Sequence, residues 1–249
     1  MNKNRERLLI GLSVSMSNLH PTKKREAPQE DKVRGIKKGA LAVMILLMLV
    51  AGQAFSAESK GQVLVILRPG MGSMEGFGIV DYTIIKEFGV MKTTLEGAGF
   101  NVVVATVDGR ALGGKHLSIT PDLKFSDVKI ADYKGVMVPC MSAAAIPVES
   151  VQIVKDALAA GIPVAAQNGG VIVLSMAGGL KGKNFAMSDY FITGEGKPFF
   201  NPGGGTCRGD GVVQDGKIVT SGICPDMALF VKKPDGTLDL TQKLIALMQ

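Results

Sequence analysis

Beyond residue 60 the apolar positions of the chain follow two alternating patterns. Short runs with almost no polar interruption stand at Gln62–Leu67, Asn101–Val107, Gly135–Pro139 and Pro163–Ala166. Such runs, rich in Val, Ile and Leu, read as strands of a parallel sheet buried on both faces. Between them lie longer stretches with helical spacing. Asp81 to Ala98 carries Tyr82, Ile85, Phe88, Met91, Thr94 and Leu95 at that spacing, with Lys86 and Glu87 on the other side. Gly89 is expected to break this stretch into two helical pieces, and Gly97-Ala98-Gly99 to end it. Pro147 to Ala160 places Val148, Val151, Ile153, Val154 and Leu158 on one side and Glu149, Gln152, Lys155 and Asp156 on the other, with Gly161 as its C-cap.

The remaining pieces follow the same logic. Arg110 to Asp132 is a connector holding a short hairpin or extended arm, and Tyr190-Phe191-Ile192 is a candidate strand in a Gly-rich stretch. Val212–Val219 reads as a β-hairpin around Asp215-Gly216. Residues 226–231 and 238–248 read as helices. The β-α-β alternation predicts a mostly parallel sheet covered by helices, with the site built by loops at the carboxyl ends of the strands. Those loops are 70–75, Cys140-Met141 and the turn at Asn168.

That turn is the most informative local feature. Pro163–Ala166 is a buried strand, Gln167-Asn168-Gly169-Gly170 a tight turn, and Val171–Ala177 the start of a buried helix. A strand turning sharply into a helix exposes one side chain and aims backbone N–H groups beside it, and enzymes place a nucleophile there. Here the residue is Asn168, and an amide is not a nucleophile.

Charge changes the picture at the N-terminus only. The net charge of the 249-residue chain is +6, and residues 1–38 alone hold ten Lys/Arg against four Asp/Glu; residues 57–249 hold eighteen of each. The body therefore carries no electrostatic footprint for nucleic acid. Residues 1–33 read as a disordered or mis-assigned extension. Residues 34–56 read as a signal peptide: basic Arg34, Lys37 and Lys38, then an apolar stretch from Gly39 to Gly52, then Ala54-Phe55-Ser56 with Ala57 as first mature residue. The stretch is short for a bilayer span, so the membrane is expected only as a point of passage. Residues 57–249 then form an exported domain, periplasmic or secreted. Its three cysteines are Cys140, Cys207 and Cys224, and its one histidine is His116. In an exported protein the loop cysteines Cys207 and Cys224 are the preferred disulfide pair. No cofactor or metal is expected.

Tyr133-Lys-Gly-Val-Met-Val-Pro139, Ile162-Pro-Val-Ala-Ala-Gln-Asn168-Gly-Gly and Gly216-Lys-Ile-Val-Thr-Ser221-Gly together resemble the ThiJ/PfpI family of the class I glutamine amidotransferase-like superfamily. The resemblance spans nearly the whole mature chain and implies a flavodoxin-like three-layer α/β sandwich and a homodimer. The family works with an elbow cysteine, an acidic side chain from the first loop, a Gly-Gly after the third strand and often a histidine. The resemblance carries these onto Asn168, Glu75, Cys140-Met141 and a position near Met187, so one part in four survives. The implied protein is a divergent, non-catalytic member that binds a small molecule or a protein partner in a pocket of Glu75, Cys140, Met141, Asn168, Gly169 and Met187. The alternative is a hydrolase, amidase or glyoxalase-like enzyme using Glu75 as base, with or without Cys140 as nucleophile.

Overall fold

The computed structural model describes residues 58–68, 79–140 and 146–249. The signal-peptide reading, the loop with Glu75, and Met141 lie outside the described residues.

Seven strands form the main sheet: β1 (Gln62–Ile66), β2 (Asn101–Thr106), β5 (Leu123–Lys124), β6 (Tyr133–Val138), β7 (Val164–Gln167), β10 (Val212–Asp215) and β11 (Ile218–Ser221). Their spatial order is β10-β11-β7-β6-β1-β2-β5. Every pairing is parallel except the β10–β11 hairpin. Two small two-stranded sheets stand outside it: β3 (Leu112–Gly113) with β4 (Ser118–Ile119), and β8 (Asn184–Phe185) with β9 (Thr206–Cys207). The β3–β4 hairpin is the arm expected in the 110–132 connector.

Side-chain alternation along the strands makes the two cores. Leu64, Ile66, Val136, Val138, Val164 and Ala166 face one side, under α2 (Val148–Ala159) and α3 (Gly169–Met176). Val63, Val65, Met137, Ala165 and Val219 face the other. There they meet α1, which comprises Ile79–Thr83, Ile84–Gly89 and Val90–Gly97, and the C-terminal helix α6 (Thr237–Met248). Helix, sheet and helix stack as the three layers of a flavodoxin-like sandwich. Two short helices complete the chain, α4 (Asp189–Ile192) and α5 (Pro225–Val231).

Two elements differ from expectation. Gly89 does not break α1. Ile84–Gly89 is a π-helical turn continuous with α-helix on both sides. Gly89 has helical φ −60° and ψ −43°, and its missing side chain leaves room beside the Ile84 carbonyl oxygen. A π turn takes one more residue than an α turn. Here it brings the pairs Thr83-Ile84 and Glu87-Phe88 inside and leaves Ile85 more than half exposed. The second difference is Tyr190-Phe191-Ile192, which lies in α4 rather than in a strand. Ser188 caps that turn in extended conformation, and the Tyr190 and Phe191 rings pack edge to face at 4.9 Å.

α3 sits unusually close to the sheet, and Gly170 is the reason. A Cβ at this position would run into the carbonyl oxygen of Val138 at the end of β6. The close approach holds the start of α3 directly against the segment that leads into Cys140.

Candidate functional site

The end of β7 is fixed first. Gln167 is fully buried, and its side-chain amide donates to the Ile223 carbonyl and to Thr237 Oγ1, both at 3.0 Å. Thr237 Oγ1 also lies 3.2 Å from Gln167 Oε1. One amide thus joins the strand end to the loop after β11 and to the first residue of α6.

Asn168 follows with φ 41° and ψ −103°, a conformation that non-glycine residues rarely adopt. The neighbours hold it there. Its N–H donates to the Ser221 carbonyl at 2.7 Å, and its own carbonyl accepts from Val171 N–H at 2.8 Å. The strand–elbow–helix geometry is therefore present, with Asn168 as the elbow residue. The side chain is buried. Its Nδ2 donates to Cys224 Sγ at 3.5 Å, while its Oδ1 has no hydrogen-bond partner.

Cys140 and Cys224 flank this elbow. Cys140 follows β6, one strand to one side of β7, and Cys224 follows β11, one strand to the other. Cys140 is partly buried and Cys224 is buried. The Cys140 and Cys224 side chains lie close enough to interact, and the Gly169 N–H, first of α3, interacts with the Cys140 sulfur. The two thiols titrate in opposite directions. Cys140 is pushed well up, first by the hydrogen bond it gives to Cys224, then by burial and by the nearby Cys224 and Glu87 charges. Cys224 is lowered, chiefly by the Cys140 thiol, with help from the Met227 N–H and the Asn168 amide and against the effect of burial.

Two charged side chains close the group, and sequence reasoning placed neither there. Glu87 is fully buried, and its Oε1 accepts from the Cys140 N–H at 2.6 Å. Its expected outward position is corrected: Glu87 stands on the inner side of the π turn, next to Phe88. Arg68 is the second. It directly follows the buried run of β1, has no exposed surface, and among the described residues none of its three guanidinium nitrogens has a hydrogen-bond partner. Burial depresses it to about 9, well below a free guanidinium, and the nearby Cys140 sulfur partly offsets this. A charged residue is almost never fully buried without a partner, so Arg68 is an anomaly of the fold.

Of the expected site residues, Cys140, Asn168 and Gly169 come together. Met187 is buried just before Ser188, and its N–H donates to the Gly209 carbonyl. The Ser188 hydroxyl is buried without a partner. The structure does not join Cys207 to Cys224. Cys207 lies on β9 with its sulfur 3.6 Å from the Gly209 carbonyl, whereas Cys224 faces Cys140 and Asn168. The hydrogen bonds that orient β9 turn Cys207 away from the elbow: Thr206 N–H to the Lys183 carbonyl and Arg208 N–H to the Phe185 carbonyl. His116 stands in the β3–β4 turn, where its N–H donates to Asp81 Oδ2 at 2.9 Å. Among the described residues no hydrogen bond or ion pair links it to the elbow. A separate groove of about 400 Å³ opens between α3 and residues 198–203, lined by Ile172, Ser175, Met176 and Phe199 but by none of the elbow residues.

A parallel-sheet sandwich with a buried strand–elbow–helix turn at its centre defines a class of proteins, and comparison with known proteins agrees. The sequence profile of the DJ-1/PfpI family matches residues 62–234, and the chain belongs to that family. An uncharacterized protein of Archaeoglobus fulgidus is 31% identical over 142 residues, which span 54% of this chain and 79% of that protein. Among solved structures, a ThiJ/PfpI domain protein from Brachyspira murdochii superimposes with a TM-score of 0.57 at 17% identity, covering 77% of this chain and 97% of that one. A putative protease I from Bacteroides thetaiotaomicron gives 0.51 at 15% identity, covering 76% and 99%. At these identities the structural likeness speaks for the fold alone.

Proposed function

We propose that this is an exported, non-catalytic member of the DJ-1/PfpI family that binds a small anionic molecule at its altered elbow. The observation that carries the reading is Arg68. A buried guanidinium without hydrogen bonds is costly, and a carboxylate or phosphate group is its natural complement. The unpartnered Asn168 Oδ1 and Ser188 Oγ supply further polar groups for the rest of a ligand. Asn168 cannot form the thioester or acyl intermediate that a cysteine at this turn would form. The domain acts as a homodimer in this reading. The exposed Leu229 and Phe230 of α5 and Ile85 of α1 supply apolar surface on two helices joined by the Thr83–Asp226 hydrogen bonds.

The test is calorimetric titration of the full chain with small mono- and dicarboxylates and with phosphate esters. Binding by the native protein that is lost in Arg68→Met is the expected result. Turnover of amide, ester or α-oxoaldehyde substrates that disappears in Asn168→Ala would overturn it. The enzyme alternative keeps one support, the Gly169 N–H aimed at the Cys140 sulfur. It requires activity that falls in Cys140→Ser and in Glu75→Gln while the fold is retained.

A further inference from the structure

The two cysteines beside the elbow form a more specific device than either would alone. They follow strands on opposite sides of β7, and their side chains lie close enough to interact beside the elbow. Asn168 Nδ2 donates to the Cys224 sulfur from below, and the Gly169 N–H points at the Cys140 sulfur. Arg68, buried and unpaired, lies close enough to Cys140 for their charges to interact. Asn168 Nδ2, the Gly169 N–H and Arg68 are thus placed to stabilise negative charge on sulfur, whereas Asp226 and Glu87, whose carboxylate accepts from the Cys140 N–H, oppose it. This environment differs from that of an inert core cysteine, which sits in apolar surroundings.

We infer that Cys140 and Cys224 are a reversible dithiol–disulfide couple that exchanges with small-molecule disulfides. Cys140 is the partly exposed member and makes the first attack. Its sulfur bonds to one sulfur of the incoming disulfide, and its proton passes to the other half of the reagent, which leaves as a thiol. The Cys224 sulfur then attacks Cys140, its proton passes to the second half, and that half leaves as a thiol. Two protein sulfurs are oxidised to one disulfide, and the external disulfide is reduced to two thiol equivalents. Arg68 and the Gly169 N–H stabilise the charge that Cys140 carries whenever the bond reopens. Closure brings the two sulfurs to about 2.05 Å. Both cysteines lie just past strand ends, where the chain can make that adjustment.

The experiment is incubation of the full chain with oxidised glutathione over a range of oxidised-to-reduced ratios, followed by acid quench and intact mass measurement. The expected product has lost two hydrogens, regains them with dithiothreitol, and yields a peptide linking Cys140 to Cys224. Cys207→Ser behaves like the native chain. Cys224→Ser stops at a mixed disulfide on Cys140. A link through Cys207, or a folded native chain that stays fully reduced at every ratio, overturns the proposal. Circular dichroism of each variant separates these outcomes from loss of fold.

Discussion

Replacing Arg68 with methionine is expected to stabilise the ligand-free protein. Burial lowers the guanidinium to about 9 in the fold, well below a free group. At about 1.4 kcal/mol per pH unit, that difference sets an upper bound of about 5 kcal/mol on the cost of holding the charge inside. Structural relaxation and water entry lower the realised cost, and about 2–3 kcal/mol is a reasonable expectation. Methionine keeps an unbranched chain in the same space, so the packing loss is small. For a domain of this size each kcal/mol moves the melting temperature by about 2–4 °C. The variant should therefore melt about 5–10 °C higher at pH 7. The pH dependence has a definite sign. The folded-state value lies below the unfolded one, so the unfolded chain binds this proton more tightly. The destabilisation is full below about pH 9 and fades as pH rises toward the value of a free guanidinium. The gain from Arg68→Met should shrink over that window. Chemical denaturation of both proteins at pH 7 and pH 10 makes the comparison. A variant less stable than the native chain at pH 7, with a difference that does not change with pH, would refute the argument and show that the guanidinium is already satisfied.

Four further outcomes are expected. A saturating anionic ligand, at about a hundred times its dissociation constant, should raise native stability by about 2.7 kcal/mol and leave Arg68→Met unmoved, as read by thermal shift. Asp226 is raised by burial, with Thr83 opposing, so its carboxyl favours the protonated form in the fold. Its contribution is fully present below the unfolded value of 3.8 and is lost as pH rises through the folded one. Asp226→Asn should thus gain on the native chain at neutral pH and lose that advantage in acid, as measured by urea melts. Gly170→Ala should cost about 3 kcal/mol or prevent folding, because the new methyl meets backbone at Val138 rather than a side chain that can move. Phe230→Asp should convert a dimer to a monomer by light scattering without changing the circular dichroism.

The architecture was legible because the central strands bury both faces. Val63 to Leu67, Val136 to Val138 and Val164 to Ala166 have no solvent side, so their apolar runs are unbroken. The strand–turn–helix at Asn168 was legible for the same reason, and the rule that sites form at strand carboxyl ends brought Cys140 to it. What escaped depended on contacts between distant segments. Glu87 looked outward-facing because Ile85 was counted into the apolar stripe, whereas the π turn exposes Ile85 and buries Glu87. Arg68 follows the apolar run of β1 in the sequence, and nothing local says that its side chain stays inside. Cys224 was paired with Cys207 from their shared loop character. Its approach to Cys140 follows from strand order alone, since β11 and β6 are the two neighbours of β7. Four-residue α4 was misread because three aromatic and β-branched residues in a row favour strand by propensity, and a single turn of helix is too short to show its period.

Gln167 gives the C-terminal helix a meaning beyond covering the sheet. Its one amide grips both the carbonyl next to Cys224 and the hydroxyl that opens α6. The sulfur and the last helix therefore share a single foundation stone. An alteration at the far end of the chain, such as a fusion or a truncation that loosens α6, would be felt at the elbow as a misplaced thiol. The reactivity of Cys224 can accordingly serve as a remote gauge of how well the chain's final residues are seated.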